Sequence, residues 1–325
     1  MIISRTPFRI SFAGGGTDLP AFYRRGGGAV TSAAIDKYMF LTVNRAFDHR
    51  IRVAYAQTEI VEHAEQVRHP LVREALKLTG IDHGVEITSV ADIPAQSGLG
   101  SSSSFTVGLL NALHAFKGEH ASAEQLAREA CRIEIELLQE PIGKQDQYIA
   151  AYGGLQHIQF NADDSVFVDP VVTPPGARQA LAGQLLMFYT GKTRKASDIL
   201  NHQQQVTSAG DKQAALDKMR AQAVAIRDML RRGGDLRDFG LLLHEGWLLK
   251  RSLVSNISNP DIDGCYERAR AAGALGGKLL GAGGGGFLLF FVERDRQPAV
   301  REALRELSEL KFKLESEGCK IFYFS

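Results

Sequence analysis

The stretch Gly98 to Ser104, "GLGSSSS", constrains this chain more than any other, because it lies between a strand and a helix. Upstream, "GVEITSVADIP" alternates apolar and polar residues through Val85, Ile87, Val90 and Ile93 and reads as a strand running into a turn. Downstream, Phe105, Leu109, Ala112, Leu113 and Phe116 recur at helical spacing, which predicts a helix over 101–117. A free Gly/Ser linker has no such flanks. At a helix N-terminus, unpaired backbone N–H groups and a partial positive charge face outward. Gly98 and Gly100 let a ligand approach the backbone, and the serine hydroxyls add donors. The unit is therefore an anion cradle, suited to phosphate. It is not a Walker A loop, because no lysine follows Gly100.

The rest of the chain sets the frame for that loop. Its 325 residues suffice for two domains. The Pro/Gly-rich stretch 172–181, "VTPPGARQAL", divides an N-terminal domain, 1–178, from a C-terminal one, 179–325. Strands are expected over 2–13, in "KYMFLTVN", "IRVAYA", "GGLQHIQF", "SVFVDPVV", "QLLMFYTG", "GGFLLFFVE" and "KIFYFS". Helices are expected over "HPLVREALKLTG", 122–139, 211–232, 236–253, "DIDGCYERARAAG" and "QPAVREALRELSEL". With no regular βαβ period, both halves read as α+β.

Charge and cysteines exclude several classes of function. The 38 basic and 37 acidic residues leave a formal net charge of +1, no footprint for nucleic acid or an anionic membrane. Cys131, Cys265 and Cys319 are widely spaced and suggest free thiols in a reducing compartment. No run approaches the ~18 apolar residues of a membrane span, and the N-terminus lacks a signal peptide's features, so a cytoplasmic protein is expected.

Three further clusters can carry chemistry. In "AGGGTD", Asp18 follows a glycine turn and is placed to accept hydrogen bonds from sugar hydroxyls, while Arg9 on the preceding strand offers a fixed bidentate cation. In "LLGAGGGGFLLFF", Gly281, Gly283 and Gly286 form a G-x-G-x-x-G, but a strand follows rather than a helix, which rejects a dinucleotide site. Such a loop either lets two backbones pack closely or covers a phosphate. In "EIELLQEPIGKQDQY", Pro141 and Gly143 end the helix of 122–139, and Asp146 follows. Leu126, Ala130, Ile133 and Leu137 form that helix's apolar stripe, and Glu134 lies beside the stripe and can look inward.

Together, "PFRISFAGGGTDL", "PAQSGLGSSSS" and "KLLGAGGGGFLLF" resemble, in order, the three motifs of the GHMP kinases. The likeness spans nearly the whole chain. It implies a two-domain fold, with an N-terminal domain like ribosomal S5 domain 2 and a ferredoxin-like C-terminal domain. Within the family, "GGAVTSAAIDKYMF", "EPIGKQDQYIAAYGGLQHIQF" and "YTGKTRKASDIL" are most similar to the heptose 7-phosphate kinases, which phosphorylate the anomeric hydroxyl. The resemblance implies ATP bound by Pro94, Gly98, Leu99, Gly100, Ser101, Ser102, Ser103 and Ser104. It implies Mg²⁺ held by Ser102 and Glu134, Asp146 facing the acceptor hydroxyl, and Arg9 beside it. Asp18 with Gly15, Gly16 and Thr17, and Gly283 with Gly284, would contact the sugar.

Galactokinases carry Glu-His where this chain has Gly15-Gly16, a change that opens the sugar pocket for a larger acceptor. Lys192 and Arg194, in "TGKTRKAS", are the expected cations for the acceptor's 7-phosphate. The expected partners are ATP and a sugar phosphate, acting on a monomer or homodimer. Another GHMP substrate, such as galactose or fucose, and a non-catalytic sensor of the same fold remain alternatives.

Overall fold

Two sheets face a common cavity in the computed structural model of the chain, which describes residues 1–191, 199, 201–203, 207 and 212–325. The first sheet is built on one long strand, β2 (Gly28–Arg45). One of its edges is taken by β1 (Ile2–Ala13). The other is shared: residues 28–33 pair with β6 (Leu155–Phe160), and 39–45 with β5 (Val85–Ala91). β3 (Ile51–Ala54) joins β5 in parallel, β4 (Thr58–Val61) extends β3, and β7 (Val166–Pro170) extends β6. The β-branched and aromatic residues Phe8, Ile10, Val30, Ile35, Val43 and Ile87 turn into the core, as half-buried strands require.

The short helix α1 (Pro20–Tyr23) follows the first glycine turn, and α2 (Pro70–Thr79) ends at Gly80 as its sequence suggests. α3 (Ser101–Phe116) packs over β1 and β2, where Ser4 Oγ donates to Gly108 O at 2.7 Å. Val107, Leu109, Leu110 and Leu113 on α3 are fully buried, each contributing about 1.5–3 kcal/mol. This anchoring holds the helix N-terminus at one place on the cavity wall.

The second sheet contains β8 (Leu185–Tyr189), β9 (Gly276–Leu279), β10 (Phe287–Phe291) and β11 (Ser308–Glu309), all antiparallel, in the order β11-β8-β10-β9. That is the strand order of a ferredoxin-like sheet. The chain thus combines two antiparallel-rich sheets with helices in a mixed helix-and-strand architecture.

Four departures from the sequence reading bear on the site. α4 (Ala123–Cys131) does not run to 139; a π-helical turn, Arg132–Leu137, replaces its last part. Leu138 N–H there donates to Ile133 O, five residues back, so the face rotates. Leu137, expected on the buried stripe, is 46% exposed, and Glu134 is fully buried. Beyond the turn, α5 (Gln145–Tyr152) is an additional helix, and it carries Asp146 in its first turn.

Near the C-terminus, α6 (Ala177–Ala182) precedes β8, and three longer helices follow: α7 (Gln213–Arg232), α8 (Arg237–Leu253) and α9 (Pro260–Ala271). α10 (Gln297–Ala303) stops before "RELSEL", whose Ser308 and Glu309 hydrogen-bond at the edge of β8 instead. The last strand, β12 (Lys320–Phe324), leaves the second sheet's surroundings and pairs with β1, so the chain's end belongs with the first sheet and not with the unit expected from residue 179 onward. β1 had an unpaired edge, and the returning strand supplies its hydrogen bonds. Among the described residues, no helix is long and apolar enough to cross a membrane.

Candidate active site

A cavity of about 470 Å³ opens where the two sheets meet, lined by segments from every glycine-rich stretch. On one wall the chain leaves β5 and enters α3 through Gly98 and Gly100, whose φ angles are +85° and +80°. Gly98, Gly100, Ser101, Ser102 and Ser103 line the cavity, with the α3 N-terminus behind them. Other members of the expected ATP-binding set sit elsewhere. Ser104 is buried and donates to Pro7 O at 2.9 Å, so it ties α3 to β1. Leu99 is a core residue whose carbonyl accepts from Arg9 N–H. Pro94 is exposed and outside the cavity lining.

The C-terminal glycine loop, 280–286, braces that wall by direct backbone contact. A Cβ on Gly98 would stand 2.6 Å from Leu280 O, and one on Gly281 would stand 2.5 Å from Gly98 Cα. No side chain fits there, so the first of the two uses expected for this loop, close backbone packing, is observed. Gly283 and Gly285 reach the cavity; Gly284 does not line it, and its N–H donates to Ile257 O at 2.9 Å.

Beside the loop, Arg9 and Asp146 form a bidentate pair. Arg9 Nε donates to Asp146 Oδ1 at 2.8 Å and Nη2 to Oδ2 at 2.7 Å. The third arm, Nη1, donates to Gly98 O at 2.6 Å. Arg9 is 5% exposed, held on β1, so it fixes the carboxylate and the phosphate loop at once. Residues 137 apart in sequence thereby become one unit.

Asp18 is buried deeper along the same cavity. Its carboxylate accepts from Gly16 N–H at 2.9 Å and from Gln145 Nε2 at 2.9 Å. Burial raises its pKa above the usual carboxylate value, against the pull of the Gly16 hydrogen bond. Gly143 makes room for it, since a Cβ there would lie 2.0 Å from Asp18 Oδ2. Gly15 and Gly16 line the cavity, whereas Thr17 is fully buried and donates to Gly14 O and Ala29 O, closing the turn.

Behind the serines lies Glu134, turned inward by the π-helical turn. Its Oε1 accepts from Ser102 Oγ at 2.7 Å and Thr106 Oγ1 at 3.1 Å; its Oε2 accepts from Ser103 Oγ at 2.8 Å and from Gln147 Nε2. Burial raises its pKa, and the four donors, Ser102 first, oppose that rise. A carboxylate bonded to a hydroxyl that lines the cavity is an all-oxygen donor set, which suits Mg²⁺. Glu136, the neighbouring helical carboxylate, is exposed.

Two lysines escaped the sequence reading. Lys250, on α8, and Lys278, on β9, both line the cavity at 8% and 6% exposure. A signal existed for Lys250: Leu243, Trp247 and Leu253 share its buried face, so a charge sits on an apolar stripe. Lys278 stands in an otherwise apolar strand immediately before the glycine loop. Gln145 and Gln147, from α5, had no sequence signal because that helix was not expected. Lys192 and Arg194 lie outside the described residues.

Comparison with known proteins follows this geometry. The profile for the GHMP kinases N terminal domain matches residues 60–154, and that for the GHMP kinases C terminal domain matches 214–309. D-glycero-alpha-D-manno-heptose 7-phosphate kinase of Campylobacter jejuni is 29% identical over 94% of this chain and 93% of its own length. The L-fucokinase/L-fucose-1-P guanylyltransferase of Bacteroides fragilis is 28% identical over 93% of this chain, which spans only 35% of that larger protein. Among solved structures, a D-glycero-D-manno-heptose 1-phosphate kinase from Bacteriodes thetaiotaomicron superposes with a TM-score of 0.82 at 25% identity, covering 100% of both chains.

Proposed function

Because the chain belongs to the GHMP kinase family, we propose that it transfers the γ-phosphoryl group of ATP to the anomeric C1 hydroxyl of D-glycero-D-manno-heptose 7-phosphate, giving the 1,7-bisphosphate. The family and its sugar-kinase relatives make it a phosphotransferase acting on a sugar hydroxyl, and GHMP sugar kinases use ATP. The observation that carries transfer to a hydroxyl at this cavity is the Arg9–Asp146 pair beside the Gly98–Ser103 loop.

Phosphoryl transfer asks for positioning and charge stabilisation more than for covalent chemistry by the protein. The loop from Gly98 to Ser103 and the α3 N-terminus receive the nucleotide phosphates. Asp146 accepts a hydrogen bond from the C1 hydroxyl and orients it for attack, while Arg9 keeps the carboxylate in place. Ser102 and Glu134 would hold Mg²⁺, which when bound neutralises charge on the phosphate oxygens. Asp18 takes sugar hydroxyls, and Gly15 and Gly16 leave space that larger side chains would fill.

The choice of acceptor rests on the heptose 7-phosphate relative and on that open pocket. ADP release with ATP and Mg²⁺ tests it across D-glycero-D-manno-heptose 7-phosphate, the unphosphorylated heptose, galactose and L-fucose. The heptose phosphate is expected to exceed the others in kcat/KM by about 10²-fold or more, the worth of about 2.7 kcal/mol of charge-assisted contact. Galactose or fucose turning over equally well would overturn the acceptor and leave only the kinase family.

A further inference from the structure

We propose that Lys250 and Lys278 are the recognition site for the acceptor's own phosphate, taking a phosphate monoester dianion between two buried amines of the cavity wall. The inference rests on the proposed phosphorylated acceptor and deepens it by naming the residues that read its charge.

Both lysines come from the second sheet's unit, one from the last turns of α8 and one from β9, and both reach the cavity while more than nine-tenths buried. Among the described residues, their amines donate only to carbonyls. Lys250 Nζ donates to Leu279 O at 3.2 Å and to Gly281 O; Lys278 Nζ donates to Phe12 O at 3.0 Å. Among the described residues, neither forms an ion pair. The carboxylates lining the cavity are Asp18, Glu140 and Asp146, and Asp146 is engaged by Arg9. An ammonium has three donors, so Lys278 keeps two unused and Lys250 one.

Two cations buried together without an anion are costly, because carbonyl dipoles do not replace a counter-charge. Burial first, and then repulsion by neighbouring cations, lowers the proton affinity of both; Lys250 falls to about 7, and Arg9 acts on each. A ligand of charge near −2 reverses that penalty, and a phosphate monoester carries about −1.5 to −2 at neutral pH. A neutral hexose offers hydroxyl acceptors but no counter-charge to either amine. The nucleotide's phosphates would already have the backbone donors of the Gly98–Ser103 loop and the α3 N-terminus. The lysines remain for a second phosphate.

The test uses the full chain with Lys278→Met and Lys250→Met, which keep the unbranched stem up to the amine's position and remove the amine. The variants sit on separate elements, so one reports if the other fails to fold. Kinetics would compare heptose 7-phosphate with unphosphorylated heptose, with the KM for ATP measured alongside. Thermal melting with and without millimolar inorganic phosphate gives a readout independent of turnover.

Each substitution is expected to lower kcat/KM for the phosphorylated acceptor by about 10- to 100-fold, mainly through KM, and to cost the unphosphorylated heptose far less. Phosphate should raise the parent's melting temperature and not the variants'. Equal losses on both acceptors with a raised KM for ATP would overturn the proposal and give the amines to the nucleotide. Unchanged kinetics and an unchanged phosphate response would leave the lysines purely structural. If the parent itself ignores the acceptor's phosphate while the variants lose the phosphate-induced stabilisation, the heptose 7-phosphate reading fails, the lysines are an anion site for another ligand, and the assignment to the acceptor is overturned.

Discussion

Glu134 and the Lys250–Lys278 pair bury opposite charges beside the same cavity, and the protein satisfies them differently. Glu134 takes four side-chain donors, from Ser102, Ser103, Thr106 and Gln147, which together address both of its oxygens. Among the described residues, the lysines take three carbonyls and no carboxylate. A carboxylate ringed by donors is stable as it stands, and the same ring would hold the proposed Mg²⁺ ligand in position in advance. An amine pair facing only carbonyls is poised for an anion and costs stability until one comes. One site is complete within the first sheet's unit; the other, as proposed, would be finished by its ligand.

Asp146 lines the same cavity, and the largest effect is expected there. Asp146→Asn should cut turnover by about 10³-fold while leaving nucleotide affinity within a few-fold, since the group acts on the acceptor in the transition state. ADP release and titration of a fluorescent nucleotide check the two halves. Near-normal turnover would place the reacting atoms elsewhere and strip both charged sites of their assigned neighbours.

A smaller effect sharpens the anionic side. Glu134→Gln keeps the shape and removes the ligand charge, and should raise the Mg²⁺ concentration for half-maximal activity by roughly 10-fold or more. Superimposable activity curves against Mg²⁺ would reduce the ring of donors to a structural knot.

The remaining effect leaves activity aside, concerns stability alone and probes the cationic side. The pKa of Lys250 is lowered to about 7 in the folded chain, below its unfolded value near 10.5. Between those values the unfolded state binds the extra proton, so ligand-free stability should rise with pH, at up to about 1.4 kcal/mol per unit. Below about pH 7 both states are protonated and the penalty is fully present. Lys250→Met should flatten this rise in urea unfolding followed across pH 7 to 10. An equal slope in parent and variant would mean that the amine is not desolvated, and the contrast with Glu134 would dissolve.

Much of this was legible in the chain because it rests on local patterning. The strand–loop–helix around Gly98, the two other glycine clusters, and the amphipathic phase that placed Glu134 beside a buried stripe all follow from side-chain periodicity and backbone freedom over a few residues. Those features also singled out Arg9, Asp18, Ser102 and Asp146, which the fold gathers at one cavity or directly behind it. What the chain hid is what distance decides. The π-helical turn exposes Leu137 through a hydrogen bond displaced by one residue, a choice that packing of Glu134 against α3 and α5 stabilises. The return of residues 320–324 to β1, some three hundred positions away, answers an open sheet edge that no local pattern reveals. Lys250 and Lys278 showed only as charges on apolar faces. Their common cavity exists because Gly98 and Gly281 bring two loops into backbone contact, and a contact of that kind is set by how the sheets close on each other.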